Sequence, residues 1–412
     1  MADATGTSPI VDPAKPLPRP RLTSLDALRG FDMFWIIGGE AIIHALNSFG
    51  SFGIFAPLAH QLNHKDWAGF AFYDLIFPLF VFITGTSLVF SLGRTIREQG
   101  RQAALKRLCW RAFLLYLIGI FYYGGFANEW PQMRLVGVLQ RIAVAYFFAG
   151  LIFCFFDWKG IMATIAAILL GYWALMALVP VRDIQLTREN VQKLSQASGT
   201  TNVYELYYQT EKQRTGVFEP GLNVADHFDF RHLPGRKHDG HYDPEGILST
   251  IPAVATCLIG VLAGLLLISS RTDRQKVAWL VYAGVTLLLA GFAWATVFPV
   301  IKKIWTSSYV LVAGGYSALL LAFFYLVIEL WNYRAWCKPF VWIGTNAITI
   351  YLATELISFH EIAARFAGGN VARLLDTHLL EGAGPFLISV VELSLAILFC
   401  RFLYRRQIFI RL

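Results

Sequence analysis

Apolar runs long enough to cross a hydrocarbon layer recur along almost the whole chain, and nothing else constrains its fold as tightly. A helix needs about 20 predominantly apolar residues to span a bilayer. Such runs lie near 31–48, 68–92, 108–126, 134–156, 160–180, 247–269, 277–299, 307–330, 339–358 and 384–404. Of 412 residues, 56% are hydrophobic and 15% are charged, whereas soluble domains carry about 25% charged residues. Backbone polar groups in lipid must be satisfied within the segment, which selects helices. The expected fold is therefore all-α, a polytopic transmembrane bundle of about ten spans.

Charge orients the bundle. Arg94, Arg97, Arg101, Lys106 and Arg107 follow the second run, and Arg271, Arg274 and Lys276 follow the sixth. Arg334 and Lys338 follow the eighth, and Arg405, Arg406 and Arg411 the tenth. With Lys15, Arg19, Arg21 and Arg29 ahead of the first run, all lie on one side if the runs alternate. Cytoplasmic loops carry the Lys/Arg excess, so that side and the N-terminus are expected to be cytoplasmic. Lys302 and Lys303 then stand outside, against the rule. The formal net charge of +8 is this bias rather than a nucleic-acid surface.

Residues 1–20, rich in Pro and small side chains, read as a disordered cytoplasmic tail. Residues 21–412 read as one membrane domain with an external insertion over 181–246. The insertion ends in Asp243-Pro244-Glu245-Gly246, where Asp243 is positioned to cap the sixth span. Residues 360–383 read as an amphipathic helix at the external interface. Gly260 and Gly264 form a GxxxG packing face. The five cysteines lie in or beside spans, which argues against a disulfide framework. His227, His232, His238 and His241, with Asp226, Asp229 and Asp239, match no standard zinc spacing and read as a solvated polar loop holding no metal.

A charge at the centre of a bilayer costs roughly 2.5–3.5 kcal/mol on insertion scales, so each one needs a partner or a task. Asp74 lies inside the second run and His64 at its mouth, while Glu40, Arg141 and Glu355 occupy outer or middle parts of theirs. These five are placed to share one cavity near the external surface. An Asp74–Arg141 ion pair would relieve two desolvation costs together. For His64 two readings stand: an interfacial histidine bonded to a loop carbonyl, or a general base oriented by Asp66 or Asp74. An unperturbed imidazole pKa of about 6.5 suits the second. The cytoplasmic cations read either as topology signals or as phosphate ligands. A membrane transferase and a proton-coupled transporter of amino sugars or related solutes both fit this pattern.

Five blocks, in consistent order, resemble the heparan-alpha-glucosaminide N-acetyltransferase family, including its bacterial inner-membrane members. They are Arg21-Leu22-Thr23-Ser24-Leu25-Asp26-Ala27-Leu28-Arg29-Gly30, the segment from Asn63 to Phe70, Gly137-Val138-Leu139-Gln140-Arg141, Tyr242-Asp243-Pro244-Glu245-Gly246-Ile247-Leu248 and the segment from Phe298 to Val310. The resemblance implies transfer of an acetyl group from cytoplasmic acetyl-CoA to the amine of a terminal glucosamine on the external side of a bacterial inner membrane. It matches His64, within His-x-x-Trp-x-Gly, to the catalytic histidine. On that reading Glu40, Asp74 and Arg141 join it in catalysis, and Arg29, Arg334 and Lys338 are candidate ligands for CoA. Trp67, Asp243, Glu245 and Glu355 are candidate acceptor ligands.

Arg141 or a helix N-terminus would stabilise the oxyanion, and direct and acetyl-histidine routes both stay open. Two positions depart from the family: Glu40 stands where animal members carry Asn, and Thr354 where members have His. The expected partners are acetyl-CoA, an amino-sugar acceptor and the bilayer, with room for a homodimer.

Overall fold

The computed structural model describes residues 22–47 and 56–409, so the tail expected over 1–20 lies outside the described residues. Helix dominates. Among the described residues the only sheet is a short antiparallel pair, Val181–Arg182 with Gln213–Arg214. The fold is that of an all-α polytopic membrane protein, as expected.

The principal helices are α1 (Thr23–Phe34), α2 (Glu40–Asn47), α3 (Phe72–Gln99), α4 (Arg101–Tyr122), α5 (Val138–Phe155), α6 (Trp158–Leu178) and α7 (Val224–His232). They continue as α8 (Ile247–Ile268), α9 (Asp273–Trp294), α10 (Ser307–Tyr325), α11 (Lys338–Thr345), α12 (Ala347–Leu356), α13 (Phe359–Ala367), α14 (Asn370–His378) and α15 (Ala383–Arg405). Among the described residues, each apolar run falls mostly on helix. Among the described residues, seven helices are long and apolar enough to cross a bilayer: α3, α5, α6, α8, α9, α15 and α10 with the turn that extends it to Leu330.

The other three runs differ for local reasons. The first starts earlier, at Thr23, and is broken by a π-helical turn over Trp35–Gly39 in which Gly38 takes φ 132°, a value open to glycine. The third belongs to α4, whose first half carries Lys106, Arg107 and Arg111. The ninth is divided at Asn346 between α11 and α12, and α12 meets α13 at a 65° bend. Helices α13 and α14 expose Phe366, Val371 and Leu374, the amphipathic pattern expected of 360–383.

Close backbone approach holds the centre together. A Cβ on Gly260 would stand 2.0 Å from Phe82 O, and one on Gly264 2.8 Å from Thr86 O, so the GxxxG face of α8 packs on α3 as expected. The facing Gly85 of α3 is equally tight against Cys257 O, at 1.9 Å. Thr86 Oγ1 donates across this seam to Gly260 O at 3.0 Å.

The insertion does not end as its sequence suggests. Helix α8 starts at Ile247 with Gly246 at its N-cap, and Ile247 N donates to Asp229 Oδ1, 3.0 Å away in α7. Asp243 is occupied elsewhere, by a two-point bond to Arg134. Nor is the histidine- and aspartate-rich stretch a solvated loop throughout: Asp226, His227 and Asp229 are buried. Asp226 accepts from Gly221 N and Asn223 Nδ2 at 2.8 and 2.6 Å. Burial pushes its carboxyl up to about 8 and that of Asp229 up to about 7, and lowers His227 to about 4.

Candidate active site

The site is assembled where α3 begins. The Asp74 side chain turns back on its own helix start, Oδ2 accepting from Ala71 N at 3.0 Å and from Lys65 N at 3.3 Å. This fixes the carboxylate at the helix N-terminus, where negative charge is favoured. Pro78, one turn later, has no N–H to offer the Asp74 carbonyl. The Tyr309 hydroxyl takes its place, donating to Asp74 O at 2.7 Å. Asp74 is thereby held at both its side chain and its backbone.

Asp74 Oδ1 lies 2.8 Å from His64 Nδ1. A carboxylate only accepts, so Nδ1 carries the hydrogen, and the neutral form of the ring has its lone pair on Nε2. The imidazole is half-exposed while Asp74 is 1% exposed, an arrangement in which a buried group orients an accessible base. The His64 ring also packs on Tyr73, with centroids 4.7 Å apart.

Lys302 completes the cluster. Its Nζ lies 3.0 Å from His64 Nδ1, 3.1 Å from Nε2 and 3.7 Å from Asp74 Oδ1. The turn that presents it is pinned by Trp305, fully buried with φ 49°, left-handed backbone that a non-glycine residue seldom adopts. Trp305 Nε1 donates to Thr256 Oγ1 at 3.1 Å, and Gly69 N to Val300 O at 2.9 Å, which joins this turn to the His64 segment. Burial lowers the Lys302 pKa from the ordinary lysine range, and Asp74 and Glu245 oppose the shift.

These groups stand at one end of a cavity of about 240 Å³ lined by His64, Tyr73, Glu245, Lys302 and mostly apolar side chains, among them Met33, Ile36 and Phe77. A second cavity, about 660 Å³, is lined by Arg29, Arg94, Arg107 and Arg111. Phe80, Ile142 and Ile348 line both. One face of α3 runs through the two, with Tyr73, Ile76, Phe77 and Phe80 on the first and Phe80, Thr84, Ser87, Ser91 and Arg94 on the second. At 1.5 Å per residue, Phe80 is roughly 9 Å along the axis from Asp74 and roughly 21 Å from Arg94.

The other expected residues are distributed differently. Arg141 makes no pair with Asp74. It is fully buried, its guanidinium donating to Pro244 O at 2.7 Å, to Thr250 Oγ1 at 3.3 Å and to Ser249 Oγ, with Trp305 stacked 4.8 Å away. It ties α5 to the start of α8. The Asp74 charge is met by His64 and Lys302, which reach it from loops that the sequence separates by 238 positions.

Glu40 opens α2 and faces the Tyr73 hydroxyl. Trp67 Nε1 donates to Phe218 O at 2.6 Å, fastening the His64 segment to the insertion. Asp243 and Glu245 both bind Arg134, with Nη2 2.8 Å from Asp243 Oδ1 and 2.7 Å from Glu245 Oε2. Glu355 is exposed and faces Tyr122, which stacks at 4.6 Å on the cavity residue Tyr351. Arg29 reaches Ser87 Oγ and Gly344 O inside the arginine-lined cavity. Arg334 lies elsewhere, bonded to Glu329 Oε2 at 3.3 Å, and Lys338 opens α11 on the exposed side.

Residues 21–207 match a family model described as the catalytic region of heparan-alpha-glucosaminide N-acetyltransferase. Across 95% of its length the chain is 25% identical to the heparan-alpha-glucosaminide N-acetyltransferase of Mus musculus and 26% identical to that of Homo sapiens. The chain is thus similar to this family. It spans 61% and 60% of those two relatives' lengths. The stretch matched to the family model carries Arg29, Glu40, His64, Asp74, Arg134 and Arg141, whereas Glu245 and Lys302 reach the cavity from beyond it.

Two contributors had escaped the sequence reading of the site. Lys302 carried a signal, as a lysine on the side where the charge rule expects few. Arg134 carried none, because a loop arginine between two runs looks like any other until Asp243 and Glu245 fold against it.

Proposed function

We propose that the chain is a membrane acetyltransferase that passes an acetyl group from acetyl-CoA, held in the arginine-lined cavity, to the amine of glucosamine or a glucosamine-containing saccharide at His64. The observation that carries this reading is the pair of cavities on one face of α3, a histidine–carboxylate pair at one mouth and four arginines in the other cavity. Guanidinium groups suit phosphates, and Arg29, Arg94, Arg107 and Arg111 would hold those of CoA. The thioester end then extends past Phe80 toward His64. On the positive-inside rule the arginine cavity faces the cytoplasm of a bacterial inner membrane and His64 faces the periplasm.

His64 Nε2 takes a proton from the attacking nitrogen while Asp74 holds the ring in its Nδ1–H form. The nitrogen bonds to the acyl carbon and the carbon–sulfur bond breaks. Sulfur leaves with the electron pair and takes up a proton, so amine and thioester become amide and thiol. Lys302, beside the imidazole, is placed to meet the charge that develops on the carbonyl oxygen. The direct route needs no bond to His64 itself.

Purified protein in liposomes tests the reading, with labelled acetyl-CoA on one face and glucosamine on the other. Labelled N-acetylglucosamine should form and should fall by several orders of magnitude in His64→Ala. Undiminished product from that variant would overturn the assignment of the base. Uptake of unmodified sugar without acetylation would instead make the protein a carrier. Release of about one equivalent of CoA per wild-type protein without acceptor, absent in His64→Ala and leaving a hydrolytically labile acetyl label on the protein, would sink the direct route in favour of an acetyl-enzyme.

A further inference from the structure

One guanidinium holds both acids of the stretch ahead of α8: Arg134 makes its two-point bond to Asp243 and reaches Glu245 Oε2 at 2.7 Å. The loop that carries Arg134 is itself fixed on either side, Arg236 N donating to Met133 O at 3.1 Å and the Tyr116 hydroxyl to Leu135 O at 2.8 Å. The two acids differ in what is left over. Asp243 is fully covered, its oxygens also accepting from His238 N and Glu245 N at 2.8 and 3.0 Å. Glu245 keeps 14% of its side chain exposed and lines the smaller cavity with His64 and Lys302. Among the described residues Arg134 supplies its only side-chain hydrogen bond, and Oε1 is left unengaged. We propose that Glu245, positioned by Arg134, recognises the acceptor by accepting hydrogen bonds from ring hydroxyls of the amino sugar. This rests on the acyl-transfer reading above.

An acceptor whose amine faces His64 Nε2 meets the rest of the cavity with its hydroxyls, and these donate to a carboxylate. Glu245 lines the cavity of His64 and not the arginine cavity, and its negative charge would repel the phosphates of the donor. Both points assign it to the acceptor. Hydrogen bonds to an ionised acceptor are stronger than neutral ones. A site built to bond a hydroxyl also rejects the analogue that lacks it, because its own polar group is then left unpaired. Arg134 lines neither cavity, so it acts on the sugar only through the carboxylate it holds.

The test compares glucosamine with its 3-deoxy, 4-deoxy and 6-deoxy analogues as acceptors from acetyl-CoA, with protein reconstituted in liposomes. In wild type at least one deletion should lower kcat/KM about 10- to 100-fold, the worth of a charged hydrogen bond. Glu245→Ala should be insensitive to that same deletion, and Glu245→Gln, which keeps the shape without the charge, should show an intermediate penalty. Arg134→Lys, which keeps the charge but not the two-point bond, should blunt the penalty in the wild-type background and change nothing further in Glu245→Ala, as expected of a residue acting through another. Residual transfer to glucosamine reports that the variants are folded. A wild type indifferent to all three deletions, or a penalty undiminished in active Glu245→Gln, would overturn the recognition while leaving the transferase reading intact. An undiminished penalty in Arg134→Lys would remove the arginine from this role. No transfer to any amine by the wild type would overturn both readings.

Discussion

A lysine within 3.1 Å of the nitrogen proposed to accept a proton is an unusual neighbour for a general base. It is tolerated because Asp74 lies 3.7 Å from the same ammonium and offsets part of the repulsion when the imidazole is charged. Burial lowers the Lys302 pKa, so its charged form is present below that value and is lost as pH rises through it. Transfer should therefore fall on the alkaline side at a pH below the ordinary lysine range, about 10.4. Lys302→Arg keeps the cation at every accessible pH and should push that limb upward, while Lys302→Met should lower kcat by about 10² to 10³. Superimposable alkaline limbs for wild type and Lys302→Arg, in a pH profile of kcat/KM, would remove Lys302 from the mechanism.

At the scale of elements, α3 and α8 approach so closely that glycine is required. Gly260→Ala would force its Cβ to within 2.0 Å of the Phe82 carbonyl and should cost about 1–3 kcal/mol through backbone displacement. Gly171→Ala in α6 meets nothing within 4 Å, and should be neutral or slightly stabilising. Thermal unfolding in detergent separates the two, and equal melting temperatures would contradict the packing. In α7 the Asp226 carboxyl is pushed up to about 8 from 3.8. The folded state therefore keeps a proton that the unfolded chain releases, so the contribution of this group to stability is full below about pH 4 and is lost as pH rises through about 8. Asp226→Asn should flatten that decline, visible as a smaller change in melting temperature between pH 5 and 8.

Over the whole molecule, the proposed function depends on two chemically unlike cavities sharing one helix face. The 28 residues of α3 extend roughly 42 Å, enough to carry that face from the His64 mouth past Arg94. On that proposal the donor and acceptor sites should be separable by mutation. Arg107→Gln, which removes one cation from the larger cavity and its bond to Thr95 Oγ1, should raise KM for acetyl-CoA about tenfold, the worth of a charged hydrogen bond. KM for glucosamine should stay unchanged. A matching rise in both constants would show that the cavities do not divide the substrates this way.

The apolar runs, the GxxxG seam and the amphipathic 360–383 stretch were legible because each depends on local periodicity or length, which the chain carries in order. The cost of burying Asp74 was legible too, and so was the motif that marks His64. The sequence could not say how that cost is met. Arg141 was the obvious partner by type and depth, yet it spends its donors on Pro244, Ser249 and Thr250. Lys302, a loop residue 228 positions after Asp74, takes the role. Asp243 looked like a cap until Arg134 claimed it and Asp229 supplied the cap instead. Sequence by itself determined the class of fold and most of the membrane segments, because these follow from hydrophobic length. Only the tertiary structure decided the partners of each charge, because a charge pairs with whichever opposite group the packing of distant helices brings within a few ångströms.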